Sequence, residues 1–328
     1  MKAAPYSGLT PDRVLDALDS IGLKPDGRLL SLNSYENRVY QAWLEDGPVV
    51  VAKFYRPARW SDAQIGEEHA FALELAKAEI PVVAPTATAK KTLHAFEGFR
   101  FAVFPRRGGR SPELEDPRTL EWIGRFLGRI HAIGASRTFR ARTRLGIESH
   151  GLEPRTWLLE SGFVPADLLD AWTSVTEAAL DGVRRSYERA GEIKGIRVHG
   201  DCHAGNVLWT QDGPHFVDLD DCCTAPAVQD LWMLLSGDRA EMGRQLADVV
   251  AGYEDFREFE PRQLYLVEAL RTLRLLHYSA WIARRWDDPA FPAAFPWFGT
   301  QRYWQDRILE LREQIAVMDE DPLSLERA

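Results

Sequence analysis

The sequence predicts an α+β protein with two lobes, a small N-terminal lobe built on an antiparallel sheet and a larger, mainly helical C-terminal lobe. Apolar residues alternate, as in half-buried strands, over 28–32, 38–44, 49–55 and 99–104, with shorter strand-like runs at 82–83 and 91–95. Apolar residues recur at helical spacing over 120–134, 166–190 and 263–286. Strands followed by helices along the chain are typical of this fold class.

A break in both patterns marks the boundary between the lobes. Pro-Arg-Arg-Gly-Gly-Arg-Ser-Pro at 105–112 is rich in residues that interrupt strands and helices. We therefore expect an N-terminal domain over 1–104, a linker over 105–112 and a helical domain over 113–328.

Composition excludes several classes of protein. With 328 residues, 45% of them apolar, the chain can bury a sizeable core. Its formal charge of -9 argues against a nucleic-acid partner, because binding to the phosphate backbone normally needs a concentrated basic face. No apolar run approaches the roughly 18 residues of a membrane span, and the N-terminus lacks the apolar core of a secretory signal. Three cysteines without C-x-x-C spacing suit neither a zinc site nor a disulfide framework, so we expect a cytoplasmic protein with reduced thiols.

Lys53 interrupts an apolar strand, Val-Val-Val-Ala-Lys-Phe-Tyr at 49–55. A charge on a half-buried strand is costly unless it is paired or reaches solvent from a strand edge. The helix predicted over 65–75 offers a partner, because Glu68 falls on the same side as the apolar residues of that helix. Lys53 is therefore either a surface lysine or, paired with Glu68, a ligand for an anion.

The densest polar cluster is Val-His-Gly-Asp-Cys-His-Ala-Gly-Asn at 198–206, in a loop entering a predicted hairpin that returns to Val-Asp-Leu-Asp-Asp at 217–221. Two chemistries fit it. The His-x-Asp-x-His run and Asp218 resemble the start of a two-metal phosphoesterase site, although few histidines follow to complete such a site.

The second chemistry is phosphoryl transfer. In the kinase loop H-R-D-x-x-x-x-N the Asp accepts the hydroxyl proton and the Asn holds magnesium, and a later Asp is the second magnesium ligand. Here Asn206 follows Asp201 by five residues, and Asp218 follows Asn206 by twelve, which leaves room for the hairpin to bring the two ligands together. Their neutral and charged oxygens suit magnesium on nucleotide phosphates. With Lys53 on a preceding strand, the combination in chain order favours a kinase.

The sequence also resembles a known family. His-Gly-Asp-Cys-His-Ala-Gly-Asn at 199–206 and Val-Asp-Leu-Asp-Asp are similar to the aminoglycoside phosphotransferase and choline kinase branch of the protein-kinase-like fold, where Gly replaces the Arg of H-R-D. Leu-Asn-Ser-Tyr-Glu-Asn-Arg-Val-Tyr at 32–40, Val-Ala-Lys-Phe-Tyr-Arg-Pro at 51–57 and Pro-Ala-Val-Gln-Asp-Leu-Trp-Met-Leu-Leu at 226–235 resemble the stress response kinase A family of bacterial serine/threonine protein kinases. The likeness runs nearly end to end.

That resemblance implies a bilobal protein-kinase-like fold with a nucleotide-binding N-terminal lobe, and ATP and Mg²⁺ as cofactors. It also implies a cytoplasmic monomer that phosphorylates Ser or Thr of a protein substrate in the bacterial stress response. Carried over to this sequence, Asp201 would be the proton acceptor, and Asn206 and Asp218 the magnesium ligands, with Asp218 also catalytic. Lys53, with Glu68 as its partner, would bind the α- and β-phosphates.

Three further residues are placed near the nucleotide. Backbone groups around Phe104 would bind adenine. The loop at 31–39 has no G-x-G-x-x-G, so its backbone cannot approach the phosphates closely, and Ser34, Tyr35 or Glu36 must act differently, with Ser34 and Glu36 as candidate contacts. A carboxylate beside ATP is repelled, so Glu36 requires magnesium or Arg38 to offset its charge.

The motifs leave the acceptor open, because a kinase of aminoglycosides, choline or homoserine would use the same catalytic residues. Whole-chain resemblance favours a protein acceptor, and a metallophosphoesterase is a remote alternative. A nucleotide-sensing pseudokinase is disfavoured because the lysine, both aspartates and the asparagine are all present. We expect Asp230 to anchor the catalytic loop, and we hypothesise that oxidation of Cys202, Cys222 or Cys223 beside that loop impairs activity.

Overall fold

The computed structural model of the protein describes residues 5–88 and 90–325, which form two compact units. The first comprises the described residues up to Ser111 together with Asn206–Asp220. The second comprises Pro112–Gly205 and the described residues from Asp221 onward. Within the described ranges, no helix combines the length and the apolar character that a bilayer span requires.

The strands and helices confirm the predicted α+β class. The described residues form nine strands: β1 (Pro25–Leu32), β2 (Arg38–Leu44), β3 (Val50–Phe54), β4 (His94–Phe96), β5 (Phe99–Pro105), β6 (Ile196–Val198), β7 (Val207–Thr210), β8 (Gly213–Phe216) and β9 (Cys223–Ala225). They form ten α-helices: α1 (Pro11–Asp19), α2 (Asp62–Lys77), α3 (Pro117–Gly134), α4 (Glu153–Ser161), α5 (Leu169–Ala190), α6 (Val228–Trp232), α7 (Arg239–Tyr253), α8 (Val267–Ala283), α9 (Ala290–Ala294) and α10 (Gln301–Met318).

An antiparallel sheet in the order β1-β2-β3-β5-β4 organises the first unit. In β3, Ala52 and Phe54 are buried in the core that α1 covers. Because side chains alternate along a strand, Lys53 points to the opposite face, where Ile65 of α2 is buried. The sheet therefore directs Lys53 towards α2.

The β7–β8 hairpin belongs to the first unit, although the predicted boundaries place residues 206–220 in the helical domain. Backbone hydrogen bonds explain the difference. Phe216 donates to Pro81, and Val83 donates to Phe216, so the predicted strand at 82–83 is a single bridge between Val82 and Phe216.

The predicted linker also pairs with this hairpin. Arg110 and Trp209 exchange two backbone hydrogen bonds of 3.0 and 2.7 Å. Gly109 permits this approach, since a Cβ at position 109 would lie 2.8 Å from the Leu208 side chain. The end of the linker is thus fixed to β7.

Helices build the second unit, where α3 packs closely against α7 through glycines. A Cβ at Gly124 would lie 2.0 Å from the Val249 carbonyl oxygen, and one at Gly252 would lie 1.9 Å from that of Glu121. The long helix predicted over 263–286 is shorter in the structure. A 3₁₀ turn over Pro261–Leu266 precedes α8, which ends at Ala283.

Candidate active site

Lys53 is the centre of a buried ionic cluster in the first unit. It is 6% exposed, and its Nζ lies 2.9 Å from Asp218, 2.9 Å from Asp220 and 3.7 Å from Glu68. Burial alone would lower the pKa of Lys53, but the three carboxylates outweigh it, and the pKa is raised well above its ordinary value. Lys53 is therefore a buried, permanently charged cation, and the surface-lysine interpretation is wrong.

Glu68 reaches Lys53 because of how α2 begins and packs. Ser61 and Gln64 form a reciprocal capping box that fixes the start of the helix. Ile65, Phe71, Ala72 and Leu75 are buried, and Glu68, which shares their side of the helix, is 3% exposed. The pairing of Glu68 with Lys53 follows the predicted helical spacing.

Asp220 is a site residue that sequence reasoning missed. It is 2% exposed, and its carboxylate contacts Lys53, the Arg59 guanidinium and, at 3.3 Å, the Asn37 amide. The second Asp of Asp-Leu-Asp was a signal, but its partners come from distant positions in the chain. Asp220 therefore fixes Lys53 in place and links Asn37, in the loop after β1, to the turn that follows β8.

Asp218 differs from Asp220 in its surroundings. Its side chain is 54% exposed, and its φ of 58° lies in the left-handed region that non-glycine residues seldom occupy. Such strained conformations cluster at functional sites. The turn at Asp218 leaves its carboxylate exposed to solvent, with one oxygen on Lys53, while Asp220 is enclosed.

Glu36 is held by two arginines of the first unit. Its carboxylate lies 2.9 Å from Arg56 Nε and 3.8 Å from Arg59 Nε, and its side chain is 12% exposed. The Arg38 guanidinium lies over the Tyr6 ring and donates to the carbonyl groups of Tyr35 and Asn37. Arg56 and Arg59 thus offset the charge of Glu36, a role for which the sequence suggested magnesium or Arg38.

A cavity of about 290 Å³ lies beside this cluster within the first unit. Its polar lining includes Ser34, Lys53, Glu68, Asn206 and Asp218. Its apolar lining includes Leu32, Val39, Val51, Val83, Phe104 and Leu208. An apolar cleft with a few convergent polar groups is the usual form of a cofactor site.

The polar end of the cavity suits a divalent cation. Asn206 and Asp218 both line it, and the Val217 amide donates to the Asn206 carbonyl oxygen over 3.0 Å, which fixes the two segments side by side. One neutral and one charged oxygen donor fit the preference of Mg²⁺ for a few protein oxygens together with phosphates.

The catalytic loop in the second unit is anchored by Asp230, as predicted. This fully buried carboxylate accepts hydrogen bonds from the His199 amide at 2.7 Å and the Gly200 amide at 2.8 Å. It also bonds the His131 ring over 2.9 Å. Three donors on one carboxylate hold the loop that presents Asp201.

Asp201 itself is paired with Arg274 of α8, which sequence reasoning missed because the two residues are 73 positions apart. Arg274 Nη1 donates to Asp201 over 2.7 Å, and His203 Nε2 lies 3.5 Å away. Burial by itself would raise the pKa of Asp201, but His203 and Arg274 outweigh it, and the pKa lies well below its ordinary value of 3.8. Asp201 is therefore ionised at neutral pH.

The three cysteines are free thiols and buried. Burial raises the pKa of Cys202 and of Cys223 well above the ordinary value. The thiolate is the reactive form, so these environments oppose the hypothesised oxidation.

Comparisons with known proteins identify the family of the chain. The chain matches the phosphotransferase enzyme family over residues 28–267. Stress response kinase A of Escherichia coli K12 is 46% identical over 320 residues, covering 98% of this chain and 97% of that protein. The serine/threonine protein kinase RdoA of Salmonella typhimurium is 45% identical over the same coverage.

Solved structures show the same fold at lower identity. An amicoumacin kinase in complex with AMP-PNP, Ca²⁺ and Ami aligns with a TM-score of 0.74 and 20% identity, covering 95% of each chain. A microcompartment-associated aminopropanol kinase aligns with a TM-score of 0.71 and 19% identity, covering 95% of this chain and all of that one.

Proposed function

The chain belongs to the phosphotransferase enzyme family, and on that basis we propose that it is a serine/threonine protein kinase that uses ATP and Mg²⁺. One observation carries the proposal. A buried lysine, paired with a helix glutamate, lies 2.9 Å from Asp218 beside a cavity that Asn206 also lines. This is the set of groups that phosphoryl transfer from a nucleotide requires.

The adenine ring would bind among the apolar residues that line the cavity, with backbone groups near Phe104, itself a lining residue, contacting its edge. Pro105 has no N–H, so the backbone donor to adenine comes from a neighbouring residue. Lys53 binds the α- and β-phosphates, and Ser34 lies at the cavity wall where it can donate to a phosphate. Glu36 acts indirectly, through Arg56 and Arg59, by fixing the loop that carries Ser34.

Asn206 and Asp218 would hold magnesium. When bound, the ion neutralises charge on the β- and γ-phosphates. Asp201 orients the acceptor hydroxyl and takes its proton while the oxygen forms a bond to the γ-phosphorus. The bond from that phosphorus to the bridging oxygen breaks, and its electron pair leaves with ADP.

Relatives support the protein acceptor, since proteins named as a serine/threonine protein kinase and as stress response kinases match nearly the whole chain. We propose that this chain also acts in a bacterial stress response, as a monomer in the cytoplasm, where ATP is available. Residues 105–112 would be the hinge of the nucleotide site. A small-molecule kinase is the second candidate, because its catalytic residues would be the same.

Transfer from γ-labelled ATP with Mg²⁺ tests the proposal. We would supply the full-length protein alone, with dephosphorylated casein, and with aminoglycosides, choline and homoserine. Label on protein serine or threonine is expected. Label on a small molecule alone supports the second candidate, and release of phosphate from simple esters without ATP would indicate a phosphoesterase instead.

A further inference from the structure

Asp201, the proposed proton acceptor, forms an ion pair with Arg274, which has no role in the reaction described above. Arg274 Nη1 lies 2.7 Å from Asp201 Oδ1. We infer that Arg274 is a catalytic residue whose other N–H groups contact the phosphoryl group as it passes from ATP to the acceptor. This inference rests on the proposed function, since it concerns the same transfer step.

The position of Arg274 is fixed by α8. Leu270, Leu273 and Leu276 are buried on the inner side of the helix, whereas the Arg274 side chain is 42% exposed. Within the described residues, Asp201 is its one ion-pair partner. A guanidinium carries five N–H donors in a rigid fork, and the bond to Asp201 uses one of them. The bond to Asp201 therefore leaves four donors of a partly exposed guanidinium available to a ligand that binds beside Asp201.

The electrostatics argue against a purely structural ion pair. The Arg274 charge helps to lower the pKa of Asp201, and a weaker base accepts a proton less readily. An arginine that only held the carboxylate would thus slow proton transfer, whereas contact with the phosphoryl group would speed the reaction. Two histidines lie near this ion pair. His203 lies beside Asp201, and burial and Arg274 together lower the pKa of His150 to about 4, so the His150 ring is neutral at pH 7.

The reaction geometry brings the phosphoryl group within reach. The acceptor hydroxyl must lie roughly 3 Å from Asp201 to pass its proton. Its oxygen must lie about 3–3.5 Å from the γ-phosphorus in a reactive arrangement. The equatorial phosphoryl oxygens then come close to a guanidinium that already touches the Asp201 carboxylate. As Asp201 accepts the proton and becomes neutral, its hold on Arg274 weakens, and the guanidinium charge interacts more strongly with those oxygens.

The sequence of the loop at 31–39 makes Arg274 more important for stabilising the transferring phosphoryl group. Without a glycine-rich sequence, the backbone amides of this loop cannot enclose the phosphates as they do in protein kinases. Stabilisation of the transferring charge then depends more on side-chain cations. Arginines that contact this charge typically accelerate phosphoryl transfer by roughly 10³- to 10⁵-fold.

A transition-state mimic separates contact with the phosphoryl group from a structural role. We would measure Mg²⁺-dependent ADP binding by calorimetry, with and without aluminium fluoride, for the full-length wild type, Arg274→Gln and Arg274→Lys. Arg284→Gln is the matched control, because Arg284 borders the same helix and pairs with Glu153 over 3.5 Å. Fluoride should tighten ADP binding in the wild type and in the control. In Arg274→Gln, ADP affinity should be kept while the tightening falls by roughly tenfold or more, and Arg274→Lys should be intermediate.

The outcomes are distinct. Equal tightening in wild type and Arg274→Gln overturns the inference, and so does an equal loss of ADP and ADP–fluoride binding. Failure of fluoride to tighten ADP binding in the wild type also overturns it, while leaving nucleotide binding intact. Failure of the wild type to bind ADP and Mg²⁺ at all instead refutes the proposed function, whichever acceptor is used.

Discussion

Lys53 and Asp218 are 165 positions apart in the chain, yet Lys53 Nζ lies 2.9 Å from the Asp218 carboxylate. The same ammonium group serves Asp220 and Glu68. Three carboxylates thus share one buried cation, and we expect both stability and nucleotide binding to depend on it.

Replacing Lys53 tests this dependence. Lys53→Met removes the cation that buried Glu68 and Asp220 share, so we expect the free energy of unfolding to fall by about 3–5 kcal/mol and ATP affinity to drop. Urea unfolding and ATP titration measure the two effects. Lys77→Met, which alters an exposed lysine in the last turn of α2, is the control and should change neither. Unchanged stability in Lys53→Met would contradict the description of the cluster.

Asp201 should be needed for turnover and not for ATP binding. Asp201→Asn keeps the shape of the side chain and removes the proton acceptor, so kcat should fall by roughly 10²- to 10⁴-fold. Steady-state kinetics with labelled ATP measure this, and Asp212→Asn in the exposed β7–β8 turn is the control. Near-normal turnover in Asp201→Asn would refute its assignment as the base.

The two aspartates of Asp-Leu-Asp should separate into different roles. Asp218→Asn changes an exposed side chain, and Asn tolerates its left-handed backbone, so stability should be kept while Mg²⁺ no longer strengthens ATP binding. Asp220→Asn should instead lower the free energy of unfolding by several kcal/mol, because it disturbs a buried ion pair. ATP titrations with and without Mg²⁺, together with urea unfolding, distinguish the two. Identical behaviour of the variants would show that the assignment of separate roles is wrong.

Stability should decrease below neutral pH because of His69. This ring bonds Tyr55 at 2.7 Å and Thr92 at 2.9 Å, and burial lowers its pKa from 6.5 to about 4. As pH falls below 6.5, His69 takes up a proton in the unfolded chain, but in the folded protein it does so only near pH 4. The cost at pH 5 is roughly 2 kcal/mol.

Urea unfolding at pH 7 and pH 5 checks this prediction. His69→Gln removes the titrating ring, so the difference between the two pH values should be smaller by roughly 2 kcal/mol than in the wild type. An equal difference in both proteins would exclude His69 as the source.

Local sequence patterns predicted the features that depend on neighbouring residues in the chain. An apolar run predicted the strand that carries Lys53, and helical spacing selected Glu68 over its neighbour Glu67. Residues whose roles depend on distant contacts were missed. Asp220 is explained by Arg59 and Asn37, and Arg274 by Asp201, and no periodic pattern encodes such pairs. Glu36 was found by resemblance, but its neutralising partners, Arg56 and Arg59, emerged only from the fold.

The backbone at Gly200 also constrains how the enzyme is regulated. Its φ is 87°, and a Cβ there would lie 2.2 Å from the Asp221 carbonyl oxygen. The arginine that stands at this point of H-R-D cannot be accommodated. In kinases whose activation loops are phosphorylated, arginine side chains receive the new phosphate and order the loop. Because no side chain fits at position 200, this position cannot supply an arginine that receives the phosphate of an activation loop.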